Sequence, residues 1–311
     1  MIFAKNIINQ LFTARDIIDS VAPWYQFAKI LGLSFYIVKN KHLKISIIGT
    51  ITSIIFYGAY ITTFIIYFPH FDNKRHMHQL ISIIDYLWYS LFYIGFYISH
   101  SISSKKIFDI LKKISEIDIL LKKINLNFSY KKIKKKLILN ILIWLTIPSI
   151  FHLISMFATH FNLINMNPVI YVHIISVILG FLVILKLLTV LHILKDRFLA
   201  INQYIKNFGK ELNVSKICKL KFFHNELCDV CEILNEAASI PVMCSLAIMF
   251  FIVMSNVYYT YSYWYNYGDD VLRKFINEFF ICLRFIIFGV FLLPGFVHLA
   301  KEVSFINLLI F

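Results

Sequence analysis

The run ISIIGTITSIIFYGAYITTFIIYF, residues 45–68, decides the fold class. It holds no charged residue over 24 positions. As a helix rising 1.5 Å per residue it would be roughly 36 Å long, enough to cross a hydrocarbon core of about 30 Å. The rest of the chain agrees. Of its 311 residues, 59% are hydrophobic and only 15% are charged, whereas an ordinary soluble domain has about a quarter charged. Lipid cannot satisfy a free backbone N–H or C=O, so spans of this composition are expected as helices.

Five more apolar runs follow, at 80–102, 137–159, 168–192, 237–261 and 275–297. The predicted fold is therefore all-α: a polytopic helical membrane protein with a segment 1–44, a transmembrane bundle 45–297 of six spans, and a tail 298–311. No signal peptide precedes the first run, which would serve as its own insertion signal. Lys and Arg set the direction. Twenty-five of them fall in 1–44, 103–136, 193–236 and the tail, against four, Lys74, Arg75, Arg273 and Lys274, in the opposite loops. That distribution predicts a cytosolic N-terminus. It also turns the net charge of +14 into a topology signal, with no nucleic-acid partner implied. All five cysteines lie in spans or on the predicted cytosolic side, so no extracellular disulfide is expected. The sequons at Asn127 and Asn213 are expected to stay unglycosylated for the same reason.

Between the second and third spans, KKIFDILKKISEIDILLKKINLNFSYKKIKKK (105–136) mixes lysines with Ile107, Leu111, Ile114 and Ile117 at helical spacing. Both spans are predicted to continue as helices beyond the membrane. The reading favoured for the lysines is a solvated stalk obeying the positive-inside rule, with anionic-lipid binding as the alternative. His224, Cys228 and Cys231 stand at i, i+4 and i+7, on one helical face. A structural zinc site usually shows two ligand pairs. No second pair is near, so no metal is assigned and no cofactor is implied.

Charges inside a bilayer are costly and mark function. Asp85 and Arg284 fall in the outer half of their spans, with His152, His173, Trp88 and Tyr89 at similar depth. Together with Tyr258 and Tyr259, from the aromatic run VYYTYSYWYNY (257–267), they are the candidate lining of a pocket for a small amphipathic ligand. An aromatic belt is the plainer role of that run. Lys186, about 9 Å from the inner surface, is expected to extend its amine to the cytosolic interface.

Three segments resemble the insect gustatory receptors. They are His224, Leu227, Cys228 and Asn235 with the apolar run to Phe251; Arg197-Phe198 and Ile201-Asn202 in LKDRFLAINQYI (194–205); and Pro23 with KILGLSFY (29–36). The resemblance covers nearly the whole chain. It implies a plasma-membrane chemoreceptor for small-molecule tastants that is itself a ligand-gated cation channel, a homo- or hetero-tetramer in the lipid bilayer. It also implies a seventh span carrying a Thr-Tyr and a later Gln-Phe. No such motif occurs before Phe311, so the chain is expected to be a partial form lacking the pore helix. A G-protein-coupled receptor is disfavoured by the cytosolic N-terminus, a transporter by the lack of inverted repeats, and an enzyme by the scatter of its polar residues.

Overall fold

The computed structural model describes residues 12–32, 36–39, 41–67, 76–158, 168–208 and 214–267. In chain order these form α1 (Ile17–Ile30), a hairpin of β1 (Tyr36–Lys39) and β2 (His42–Ile45), α2 (Ile47–Tyr67), α3 (His76–Lys122), α4 (Tyr130–Ala158), α5 (Pro168–Phe208) and α6 (Val214–Tyr267). Five of the six expected spans are helical in their described backbone. The first begins two residues late because Ile45 closes the hairpin, and 275–297 lies outside the described residues. Counting only the described residues, no helix is long and apolar enough to cross a membrane. The side chains of the apolar runs fall in part outside that description.

The predicted stalk is real helix. α3 continues unbroken past Ile102 to Lys122. Ile107, Leu111 and Ile114 are wholly buried and Ile117 nearly so. The helix stops in a Schellman-type turn: Asn125 adopts φ 66°, Leu126 N–H donates to Leu121 O and Asn125 N–H to Lys122 O, each at 3.1 Å. An asparagine tolerates this left-handed position better than a branched residue. Ser129 then starts α4, its Oγ accepting from Lys132 N–H at 3.4 Å.

The helix α1 shows a structure that the composition of 1–44 did not announce. Asp16 caps it, accepting from Asp19 N–H at 2.9 Å, and ion-pairs with Lys41 in the hairpin turn at 2.6 Å. Lys41 itself sits at φ 62°. At the other end Gly32, at φ 67°, donates to Lys29 O. The carbonyls a helix end leaves free are taken up by α2: Thr52 Oγ1 donates to Lys29 O at 3.0 Å and Ser53 Oγ to Gly32 O. One face of α1 (Ile17, Val21, Trp24, Tyr25 and Ala28) is buried against α3, α4 and α5. Burial of each large apolar side chain stabilises by about 1.5–3 kcal/mol. Val38 and Leu43, paired across the hairpin, pack onto the same core. Among the described residues that core lies where α1 meets the lysine-rich halves of α3, α4, α5 and α6.

Candidate functional site

Two buried polar clusters organise this region. In the first, Arg197 of α5 and Asp118 of α3 form a fork-to-fork ion pair. Nε donates to Oδ1 at 3.1 Å and Nη2 to Oδ2 at 2.8 Å, with the side chains 0% and 1% exposed. Each guanidinium nitrogen has an acceptor. Arg197 Nη1 donates to Ile193 O at 3.1 Å, Tyr130 Oη donates to Asp118 Oδ2 at 3.0 Å, and the guanidinium lies 4.4 Å over the Phe128 ring. Burial, and then the Asp118 carboxylate, push the Tyr130 hydroxyl above its ordinary value, so it stays protonated as the donor this geometry requires. One pair thus pins α3, α5, the 126–129 turn and the start of α4.

The second cluster surrounds Lys186, and it corrects an expectation. The amine does not reach for the interface; the residue is 1% exposed. Nζ lies 3.0 Å from His100 Nδ1, 3.1 Å from Ser103 Oγ and 3.4 Å from Ser104 Oγ, and 4.9 Å over the Trp24 ring. Ser104 Oγ also meets His100 Nε2 at 3.1 Å. Trp24 Nε1 donates to Leu182 O at 3.0 Å, one turn before Lys186. Snorkelling fails because α1 occupies the route out: Trp24 covers the amine, while three neutral partners from α3 satisfy it where it stands. The cluster ties α1, α3 and α5 together.

The face predicted from His224, Cys228 and Cys231 forms within α6. His224 is buried, with its Nδ1 3.7 Å from Cys228 Sγ and its ring edge-on to Phe198 at 5.6 Å. Two of the three segments carrying the family resemblance therefore touch each other directly. Burial, then the neighbouring Cys228 and the Glu232 carboxylate, push the Cys231 thiol up to about 12. No group of three or more His, Cys, Asp or Glu is placed to hold a metal among the described residues.

Of the predicted pocket residues, Asp85, Trp88 and Tyr89 lie on α3, His152 on α4, His173 on α5, and Tyr258 and Tyr259 on α6. Tyr258 is half-buried, and Tyr261 beyond it is 65% exposed. The other side chains named, and Arg284 altogether, lie outside the described residues.

Long helices bundled around a buried N-terminal helix, with apolar runs continuing from a lysine-rich end, define a helical bundle of membrane-protein composition. The particular family is given by a profile for the 7tm chemosensory receptors, which matches residues 21–304. The chain belongs to that family, and with it to the proteins of the membrane. Among curated proteins none matches the chain. The matched region begins inside α1 and takes in Trp24 and Tyr25. Sequence reasoning singled out Arg197 and missed its partner. The signal was present, since Asp118 follows Ile114 by four residues on the buried stripe of α3, where a charge needs a partner.

Proposed function

We propose that this chemosensory receptor is of the gustatory type: a plasma-membrane subunit of a ligand-gated cation channel, homo- or hetero-tetrameric, that responds to a small-molecule tastant. The observation that carries this reading is the family match over 21–304. The skew of lysine and arginine toward one side supports a cytosolic N-terminus, the opposite of a G-protein-coupled receptor. The tastant would enter the outer half of the bundle among Asp85, Trp88, Tyr89, His152, His173, Tyr258, Tyr259 and Arg284. At 1.5 Å per residue, Asp85 and Arg284 differ in depth by about 6 Å, within reach of an arginine.

The test is electrophysiology on oocytes expressing the complete transcript, with sugars, amino acids and bitter compounds applied outside. A ligand-evoked cation current that persists when G-protein signalling is blocked is expected. A response that disappears with that block would overturn the channel reading.

A further inference from the structure

The hairpin between α1 and α2 has two unlike faces. The register pairs Tyr36 with Ile45, Ile37 with Lys44, Val38 with Leu43 and Lys39 with His42. Side chains alternate along a strand. Val38 and Leu43 therefore share the face turned to the core, as their packing confirms, and Ile37, Lys39, His42 and Lys44 share the other. Lys39, His42 and Lys44 are exposed. Neither lysine is in an ion pair among the described residues; the basic residue of this hairpin that is paired is Lys41, with Asp16.

Directly beyond Lys44 the surface becomes aliphatic. Ile45 at the end of β2, and Ile47, Ile48, Ile51, Ile54 and Ile55 of α2, are 50–76% exposed; α2 packs only sparsely on α1 and α5. In a membrane receptor, a bare isoleucine face on a peripheral helix, opposite the buried Gly49 and Ser53, is covered by acyl chains. The cationic face then stands at headgroup level, within a few residues of the first lipid-facing side chain. Lysines also flank the exposed apolar residues of α3 (Lys105 beside Ile102) and α4 (Lys135 and Lys136 before Leu139), but the hairpin sets Lys39, Lys44 and His42 on one face of a paired ribbon. α6 approaches its own exposed Ile240 and Met243 through Glu232, Ser239 and a Glu236 already paired with Lys106 at 3.1 Å, a less cationic entry than the hairpin's.

We propose that Lys39, His42 and Lys44 form a binding surface for the phosphate-bearing headgroup of an anionic phospholipid, whose acyl chains lie along α2. The leaflet is the cytosolic one on the orientation proposed above; the binding itself does not depend on tastant or current. The surface has a mechanical connection. The hairpin's inner face packs on α1, and its turn is bound to the α1 cap through Lys41–Asp16. A lipid held here therefore steadies the helix that carries Trp24 into the Lys186 cluster.

The experiment reconstitutes the receptor in nanodiscs of zwitterionic phospholipid and titrates in a fluorescent anionic phospholipid, reading energy transfer to the protein. Each lysine at an anionic surface contributes about fivefold in affinity, so Lys39→Gln with Lys44→Gln is expected to weaken retention by about 25-fold. Lys122→Gln with Lys123→Gln removes the same charge at the far end of α3 and is expected to leave it unchanged. All three proteins should elute as one folded species, since the substituted side chains are exposed. Equal loss in both double variants would mean a general charge effect, and no loss in either would mean no site; both overturn the proposal. So would competition by soluble inositol phosphate as effective as that by lipid. A receptor that gives no tastant current yet shows the 25-fold loss would sink only the channel reading.

Discussion

Replacing Arg197 by methionine keeps most of the side-chain volume and removes the charge. Asp118 would then hold its carboxylate, 1% exposed, with Tyr130 as its remaining donor among the contacts described here. Two charge-assisted hydrogen bonds vanish, each worth about 1.5–3 kcal/mol, and the orphaned charge brings the cost of breaking a buried pair to about 3–5 kcal/mol. Asp118→Asn should cost less than this, because the amide oxygen can still accept one guanidinium N–H. Joining Arg197→Met to Asp118→Leu removes both charges and should recover most of the loss, as paired apolar replacements of buried ion pairs do. The assay is folded yield and thermal midpoint of fluorescently tagged receptor in detergent, by size-exclusion chromatography, for Arg197→Met, Asp118→Leu and their double, with Asp118→Asn beside them. Strictly additive losses would refute the reasoning, showing that the pair's energy does not depend on the two residues meeting.

Trp24→Phe removes the indole N–H donated to Leu182 O and weakens the ring over Lys186. A loss of about 1–2 kcal/mol is expected, read as a lowered thermal midpoint; an unchanged one would mean the latch contributes nothing. The Cys231 thiol, raised to about 12 by burial and nearby charge, is almost wholly protonated at neutral pH. Maleimide should label the exposed Cys218 well before Cys231, as mass spectrometry of native receptor would show, and equal rates would contradict the burial. Sequons engineered near Asn73 and near Asn266 should be glycosylated in microsomes, while Asn127 and Asn213 should not; a glycan on Asn213 would reverse the proposed orientation. If Asp85 and Arg284 pair, a double-mutant cycle on surface expression should show single-alanine losses that the double variant does not sum.

What the sequence made legible follows from which forces are local. Apolar runs near twenty residues announce helices because lipid leaves the backbone no other partner. The stripe Ile107, Leu111, Ile114 and Ile117 announced the α3 extension through its period alone. The fate of Lys186 was not legible in this way. Its depth argued for snorkelling, but its solvent is made of His100, Ser103, Ser104 and Trp24, which no periodicity relates to it. The α1 helix was hidden for a similar reason: Arg15, Asp16 and Asp19 crowd charge about its start, and the role of Asp16 as cap and hairpin partner appears only once Lys41 folds back. The outer pocket rests on depth arithmetic, and depth alone does not tell which way a side chain points.

The Trp24–Leu182 bond joins residues 158 positions apart. Synthesis at about 5–20 residues per second leaves α1 finished for roughly ten to thirty seconds before its seat on α5 exists. During that interval the stripe of Ile17, Val21, Trp24 and Tyr25 has only the hairpin and then α3 and α4 to cover it, and Trp24 has no acceptor for its indole N–H until Leu182 is made. The receptor's earliest helix is thus seated in stages, and its biogenesis depends on whatever shields that stripe in the meantime.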